Sequence, residues 1–250
     1  APIHVRNITK NLNKSIYDLL IVFGTNGQIK SDLDDHKFST VNLGNLKSNF
    51  SLLNTITSIF KFYKVVNSFK PDLIHVHSSK ASFIARIVSL FTRKKVLYTV
   101  HGWGWRGKGV ILGSLIYLIE VISFLLSRND FIAVCEDVKN QFFITRNFSE
   151  CVVLYNSVDD YGSSFSQEIG DHKKLRLIMP ARLDKSKDHQ MVLTALKNVN
   201  RNIDLTFCGS GTNSQGFEKK VNKFKTKYVN FRLLGPVKNM RKLYHENDVL

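Results

Sequence analysis

Cysteine is scarce in this 250-residue chain, and its three copies, Cys135, Cys151 and Cys208, form neither a CxxC pair nor a Cys/His cluster. A disulfide framework and a structural zinc site are therefore not expected, and a reducing cytosol is the default compartment. The opening residues Ala1–Arg6 lack the charged start and apolar core of a secretory signal. There is no Walker loop, no HExxH and no GxSxG, and neither a repeat nor a low-complexity tract is evident. Acidic side chains are in the minority. The formal charge is +16, and residues 171–250 carry 17 basic against 7 acidic side chains. Such a field favours phosphates, acidic lipid headgroups or nucleic acid, or is a solvated basic surface; charge alone does not choose. A composition of 43% hydrophobic and 22% charged residues suits a globular protein.

Short apolar runs alternate with helical patterns. Leu19–Phe23, Leu73–Val76, Val96–Val100, Phe131–Val134 and Val152–Leu154 read as buried parallel strands. Helices fit the apolar spacing from Leu52 to Val66, stopped by Pro71, and then Ser79–Leu90, Val110–Leu126 and Asp137–Thr145. Repeated βαβ units predict an α/β fold with a doubly wound sheet. Residues 1–158 are read as a first Rossmann-like domain and the polar stretch 159–174 as a linker. Residues 175–250 are read as a second domain, with strands at 177–179, 204–208 and 230–233 and helices at 187–198, 215–227 and 239–246. Gly109–Ser127 is apolar enough to resemble a membrane span, but Glu120 lies at its centre and strands of one sheet flank it. It is expected to be a buried helix that could touch a membrane surface, not a span.

Several segments could carry chemistry. His101 ends a strand, where open α/β sheets place their ligand crevice, although a packed strand-end histidine fits the same pattern. Gly102–Gly107 also matches GxGxxG, but Trp103 and Trp105 would crowd a pyrophosphate and no acidic residue ends a second strand downstream. A loop offering Trp103, Trp105 and Arg106 to an acceptor is the alternative. Arg182 and Lys187 bracket the start of a helix after a strand, an arrangement that could cradle an anion or be two solvated charges. Gly209-Ser210-Gly211 is a glycine turn that lets backbone approach a ligand. Asp32-Leu33-Asp34 spells DxD in a polar loop without supporting context. His75 and His77 are expected to point to opposite faces of their strand and so not to share a metal. The lysines interleaved with aromatics at 217–231 read as the solvated face of an amphipathic helix, with an RNA or membrane patch as the alternative.

In order, these segments resemble the retaining family 4 glycosyltransferases of the GT-B fold. The likeness is carried by Pro71-Asp-Leu-Ile-His-Val-His77, Thr99-Val-His101-Gly102, Phe131-Ile-Ala-Val-Cys-Glu-Asp137 and Val153-Leu-Tyr-Asn156-Ser-Val-Asp159. It continues through Ala181-Arg-Leu with Lys187, Gly209-Ser-Gly211, Leu234-Gly-Pro-Val237 and Tyr244…Asp248-Val. The resemblance implies a sugar moved from a nucleotide donor with retention, without a metal or other cofactor. His101 would face donor sugar and acceptor. Arg182 and Lys187 would hold the diphosphate, Gly209, Ser210 and Gly211 would line the nucleotide pocket, and Gly235 and Val237 would approach the base. His-Gly-Trp looks most like members that build lipopolysaccharide and other surface polysaccharides. The apolar helix, the two Trp and the basic charge together suit a lipid-linked glycan acceptor at the anionic cytoplasmic leaflet of a bacterial inner membrane, and no nucleic-acid partner is expected. Cys135 and Ser210 depart from the usual Ser and Asp. On this reading the first strand and the C-terminal half of the second domain are missing, and the chain is expected to be an inactive fragment. A GT-B epimerase, a glycogen-type synthase, or a non-enzymatic basic membrane- or nucleic-acid-binding protein are the other readings.

Overall fold

A computed structural model describes residues 2–24, 38–44, 52–127, 129–147, 151–157, 174–237 and 239–249, with the side chains of residues 2, 3 and 52 left aside. The chain forms two compact units, Ala1–Asp159 and Asp160–Leu250. Most of the polar stretch read as a linker, and the whole DxD segment, lie outside the described residues.

The first unit begins with helix α1 (Pro2–Asn11), followed by β1 (Leu20–Phe23) and β2 (Ser39–Asn42), which pair in parallel. Its main sheet is parallel, in the order β3 (Leu73–Val76), β4 (Lys95–Val100), β5 (Asn129–Ala133), β6 (Val152–Val153). Helix α2 (Leu52–Phe69) precedes β3, α3 (Ser79–Thr92) joins β3 to β4, and α4 (Val110–Leu126) joins β4 to β5. Between β5 and β6 a single helix was expected. The structure has two short ones, α5 (Glu136–Asn140) and α6 (Phe143–Asn147). The break follows from Phe142, which is fully buried, and from Thr145, whose hydroxyl donates to the Lys139 and Phe142 carbonyls.

Helix α3 has a local cause at each end. Ser78 caps α3 by accepting from the Ala81 N–H, and Arg93 closes it in the left-handed region at φ 55°. The same helix packs Ile84, Ala85 and Val88 into a core shared with Val96, Tyr98, Val100 and Phe131. Burial of this continuous cluster is the main source of stability for the unit.

Helix α4 runs over the expected residues but is not buried. Of its 17 residues only Gly113 and Glu120 are, whereas Val110 and Ile111 are 84% and 89% exposed and Leu112, Leu115, Leu118, Ile122, Leu125 and Leu126 also face outward. The reason is an ion pair. Arg86 of α3 and Glu120 of α4 meet at 2.5 Å with both side chains almost wholly buried, and Arg86 also donates to the Ser123 hydroxyl at 3.0 Å. The charged position is turned inward against α3, so much of the apolar surface is turned out. No described helix is long and apolar enough to cross a membrane.

The second unit is a parallel sheet β7 (Leu175–Pro180), β8 (Ile203–Cys208), β9 (Val229–Leu233). Helices α7 (His189–Ala195), α8 (Gln215–Asn222) and α9 (Met240–His245) accompany it. Leu193, Leu205, Phe207, Phe217 and Val221 form its core. Val249 makes a parallel bridge to Leu177 outside β7, and Asp248 accepts from the Arg176 N–H at 2.8 Å and its guanidinium at 2.6 Å. The helix expected over 187–198 is divided. Lys185–Lys187 is a 3-10 turn, Asp188 sits in the left-handed region at φ 41° and caps α7, and a second 3-10 turn covers Leu196–Asn198.

Candidate functional site

In the first unit the carboxyl ends of β3 and β4 bring histidines together. His75 and His77 lie two residues apart, which in a strand returns the side chain to the same face; their rings are 4.3 Å apart. The expectation of opposite faces is therefore corrected. His101, just beyond β4, lies 5.9 Å from His77, and His4 of α1 lies 5.5 Å from His77 and 5.0 Å from His101. His75 Nε2 hydrogen-bonds the Thr99 hydroxyl at 2.8 Å, and the Asn156 side chain bonds His4. Burial, reinforced by repulsion between neighbouring imidazoles, lowers the pKa of His75 and of His101 to about 4. His77 is lowered further by the same causes, to about 2. All three are neutral at pH 7, so they present one donor and one lone pair each rather than positive charge.

The two tryptophans behave differently from expectation. Trp103 is 4% exposed and donates its indole N–H to the Val138 carbonyl at 2.7 Å. It stacks on Trp105 at 4.6 Å and packs on Phe142. Its ring faces are spent on the core, which corrects its reading as an acceptor platform. Trp105 is half-buried and, with Arg106, Lys108, Val110 and Tyr117, lines an open groove of about 500 Å³. Arg106 and Lys108 are exposed.

In the second unit three strand-end loops converge. The Gly209 N–H donates to the Gly235 carbonyl at 2.7 Å, and the Leu183 N–H donates to the Ser210 carbonyl at 2.8 Å. Thr212 is the fastener: its hydroxyl donates to the Gly209 carbonyl at 3.0 Å and accepts from the Gly235 N–H at 3.1 Å. The loops after β7, β8 and β9 are thus one hydrogen-bonded rim at the carboxyl edge of the sheet. Gly209 has φ 143°, and any Cβ there would overlap the Ala181 carbonyl, so the position requires glycine.

Arg182 stands beside this rim, 67% exposed, with Nε 3.7 Å from an Asp184 carboxylate oxygen. Asp184 also accepts from the Ser186 hydroxyl and N–H, which hold its carboxyl below the ordinary range. Lys187 is exposed in the 3-10 turn, not at the start of the α-helix. Val237 packs with Ile178, Cys208 and Leu243, behind the rim. The structure therefore gathers Arg182, Gly209, Ser210, Gly211 and Gly235 from three separate loops. His4 and Thr212 carry no motif in the sequence, whereas His77 is set aside there only through the mistaken expectation that His75 and His77 face opposite ways.

Residues 1–160 match the sequence profile described as Glycosyltransferase Family 4. The chain belongs to glycosyltransferase family 4. Over 90 residues, 36% of this chain and 23% of its relative, the family 4 chain is 29% identical to a UDP-Gal:alpha-D-GlcNAc-diphosphoundecaprenol alpha-1,3-galactosyltransferase of Escherichia coli. It also superposes on the Anabaena protein Alr3699/HepE, solved with UDP and glucose, at a TM-score of 0.73 and 18% identity, covering 97% of this chain and 67% of that one. The apo lipopolysaccharide outer core galactosyltransferase WaaB superposes at 0.63 with 15% identity, covering 98% and 66%. The family 4 chain spans about two thirds of these structures and has their GT-B, parallel α/β fold.

Proposed function

We propose that the protein to which this family 4 chain belongs moves a sugar, with retention, from a uridine diphosphate donor to a lipid-linked glycan at a membrane surface. The observation that carries this reading is the rim of three glycine-containing loops beside Arg182. Arg182 and Lys187 would offset the charge of the departing diphosphate, and the Gly209–Gly211 turn gives the nucleotide close backbone approach. The bond from the anomeric carbon to the diphosphate breaks, and the electron pair leaves with the nucleoside diphosphate. The acceptor oxygen attacks from the face the leaving group vacates, and its proton passes to a departing phosphate oxygen. His101, neutral at pH 7, serves as a hydrogen-bonding group for sugar hydroxyls rather than as a charge. No metal is assigned to the transfer.

Two relatives support the donor and the acceptor: the E. coli galactosyltransferase is described with UDP-Gal and a diphosphoundecaprenol-linked sugar, and HepE was solved with UDP. The outward apolar side of α4, beginning beside Arg106 and Lys108, suits an anionic bilayer surface. The protein then works peripherally on the cytoplasmic leaflet in surface-polysaccharide assembly. The test is transfer, by the whole protein to which this chain belongs, from radiolabelled UDP- and GDP-sugars to a synthetic lipid-diphosphate N-acetylglucosamine, with the product anomer read by NMR. Retention from a UDP-sugar, abolished by Arg182→Ala, is expected. Absence of transfer from every donor rejects the reading, and an inverted anomer rejects the stereochemistry.

A further inference from the structure

The histidine cluster extends beyond the sugar-binding role given to His101, because His4 and His77 have no part in it. His77 Nδ1 and His101 Nε2 are buried and have no hydrogen-bond partner among the described residues. Buried polar nitrogens are ordinarily satisfied, so two in one cluster call for a ligand. His4, His77 and His101 come from three elements, and one ligand-capable nitrogen of each lies within 4.8 Å of the other two.

We propose that His4, His77 and His101 form a binding site for one late first-row divalent cation of the zinc, cobalt or nickel class. Three imidazole nitrogens and no oxygen donor disfavour magnesium and calcium, which require oxygen ligands. Metal–nitrogen bonds of about 2.0–2.1 Å in a tetrahedron place nitrogens roughly 3.4 Å apart, so the side chains close by up to about 1.4 Å through rotation about their own bonds. Three protein ligands leave the fourth position to water, the pattern of an open site. Outer-shell partners are in place as well: Asn156 bonds His4, and His75, anchored by the Thr99 hydroxyl, backs His77. The ion is not a participant in the transfer. Because it occupies His101, it would inhibit the reaction, a consequence that rests on the function proposed above, whereas binding itself does not.

The experiment uses chelator-stripped chain carrying no histidine tag, titrated with Co²⁺ and followed by visible d–d absorption and calorimetry. One Co²⁺ per chain with tetrahedral-type bands is expected, and Zn²⁺ should displace it. His77→Ala and His4→Ala should each weaken binding roughly 100-fold and Asn156→Leu roughly 10-fold, while His245→Ala in the other unit leaves it unchanged. Circular dichroism on the same samples, with the near-isosteric His77→Gln beside the alanine variant, separates lost ligation from lost folding. No saturable Co²⁺ uptake, or equal uptake by folded His77→Gln, overturns the site, as does saturable inorganic phosphate binding there without any cobalt binding. UDP binding is measured in parallel on the whole protein to which this chain belongs: its absence would reject the transferase reading while leaving the cobalt result standing.

Discussion

Removing one member of the Arg86–Glu120 pair should cost far more than removing both. The pair is buried, with the two side chains 1% and 6% exposed, and Arg86 Nε and Nη2 already lack partners among the described residues. Its guanidinium lies over the Tyr98 and Phe131 rings at 5.6 and 5.2 Å. Burial raises the Glu120 carboxyl, against the pull of Arg86. Glu120→Ala leaves an uncompensated buried cation, so a loss of about 3–5 kcal/mol is expected. At roughly 2–4 °C per kcal/mol for a unit of this size, the melting temperature should fall by about 6–20 °C. Arg86→Met should behave likewise. The double variant Arg86→Met/Glu120→Leu fills the same space with apolar atoms and should regain most of the loss, since such swaps are often neutral or stabilising. Urea titrations followed by circular dichroism give the double-mutant cycle. A single substitution that costs under about 1 kcal/mol, or a double variant as unstable as the sum of the singles, would refute the idea that this pair fixes the rotation of α4.

Three further outcomes follow. Leu118→Glu/Ile122→Glu, on the exposed side of α4, should abolish flotation with anionic vesicles while leaving the melting temperature unchanged; a destabilised but still vesicle-bound variant contradicts the docking surface. Gly209→Ala forces a Cβ into the Ala181 carbonyl at φ 143° and should destabilise the second unit by about 2–4 kcal/mol, read as an earlier urea transition. His75 and His77 have folded pKa values below the unfolded value of about 6.5. Their contribution is therefore neutral above pH 6.5, and below it the unfolded state takes protons that the folded state refuses. Stability should thus fall from pH 6.5 towards 4, by roughly 2 kcal/mol for the pair over the first unit after allowing for partial solvent access. A flat profile for the wild type, or the same slope in His75→Gln/His77→Gln, contradicts it.

Much of the architecture was legible in the residues because continuous apolar runs have few other uses. Leu73–Val76 and Val110–Leu126 form elements at the expected bounds. Burial was less legible, because composition does not say which side of a helix faces the core. For α4 that depended on Arg86, 34 positions away. The expected helix 187–198 is interrupted because Asp184 caps a 3-10 turn ending at Lys187 and Asp188 then caps a separate helix from His189. Trp103 was assigned by its motif, whereas its indole N–H found a carbonyl in the core. The short polar strand Ser39–Asn42 had no apolar run to announce it. The rim in the second unit was legible as glycine turns, but Thr212, which ties them, carries no motif.

The central claim is that the loop rim beside Arg182 holds a nucleoside diphosphate. Calorimetric titration of UDP into the whole protein to which this chain belongs, wild type and Arg182→Ala, tests it most directly. The account predicts saturable one-to-one binding that weakens at least about tenfold on loss of one charge-assisted contact worth about 1.5–3 kcal/mol. Equal affinity for the two proteins, or no UDP binding by the wild type, contradicts it.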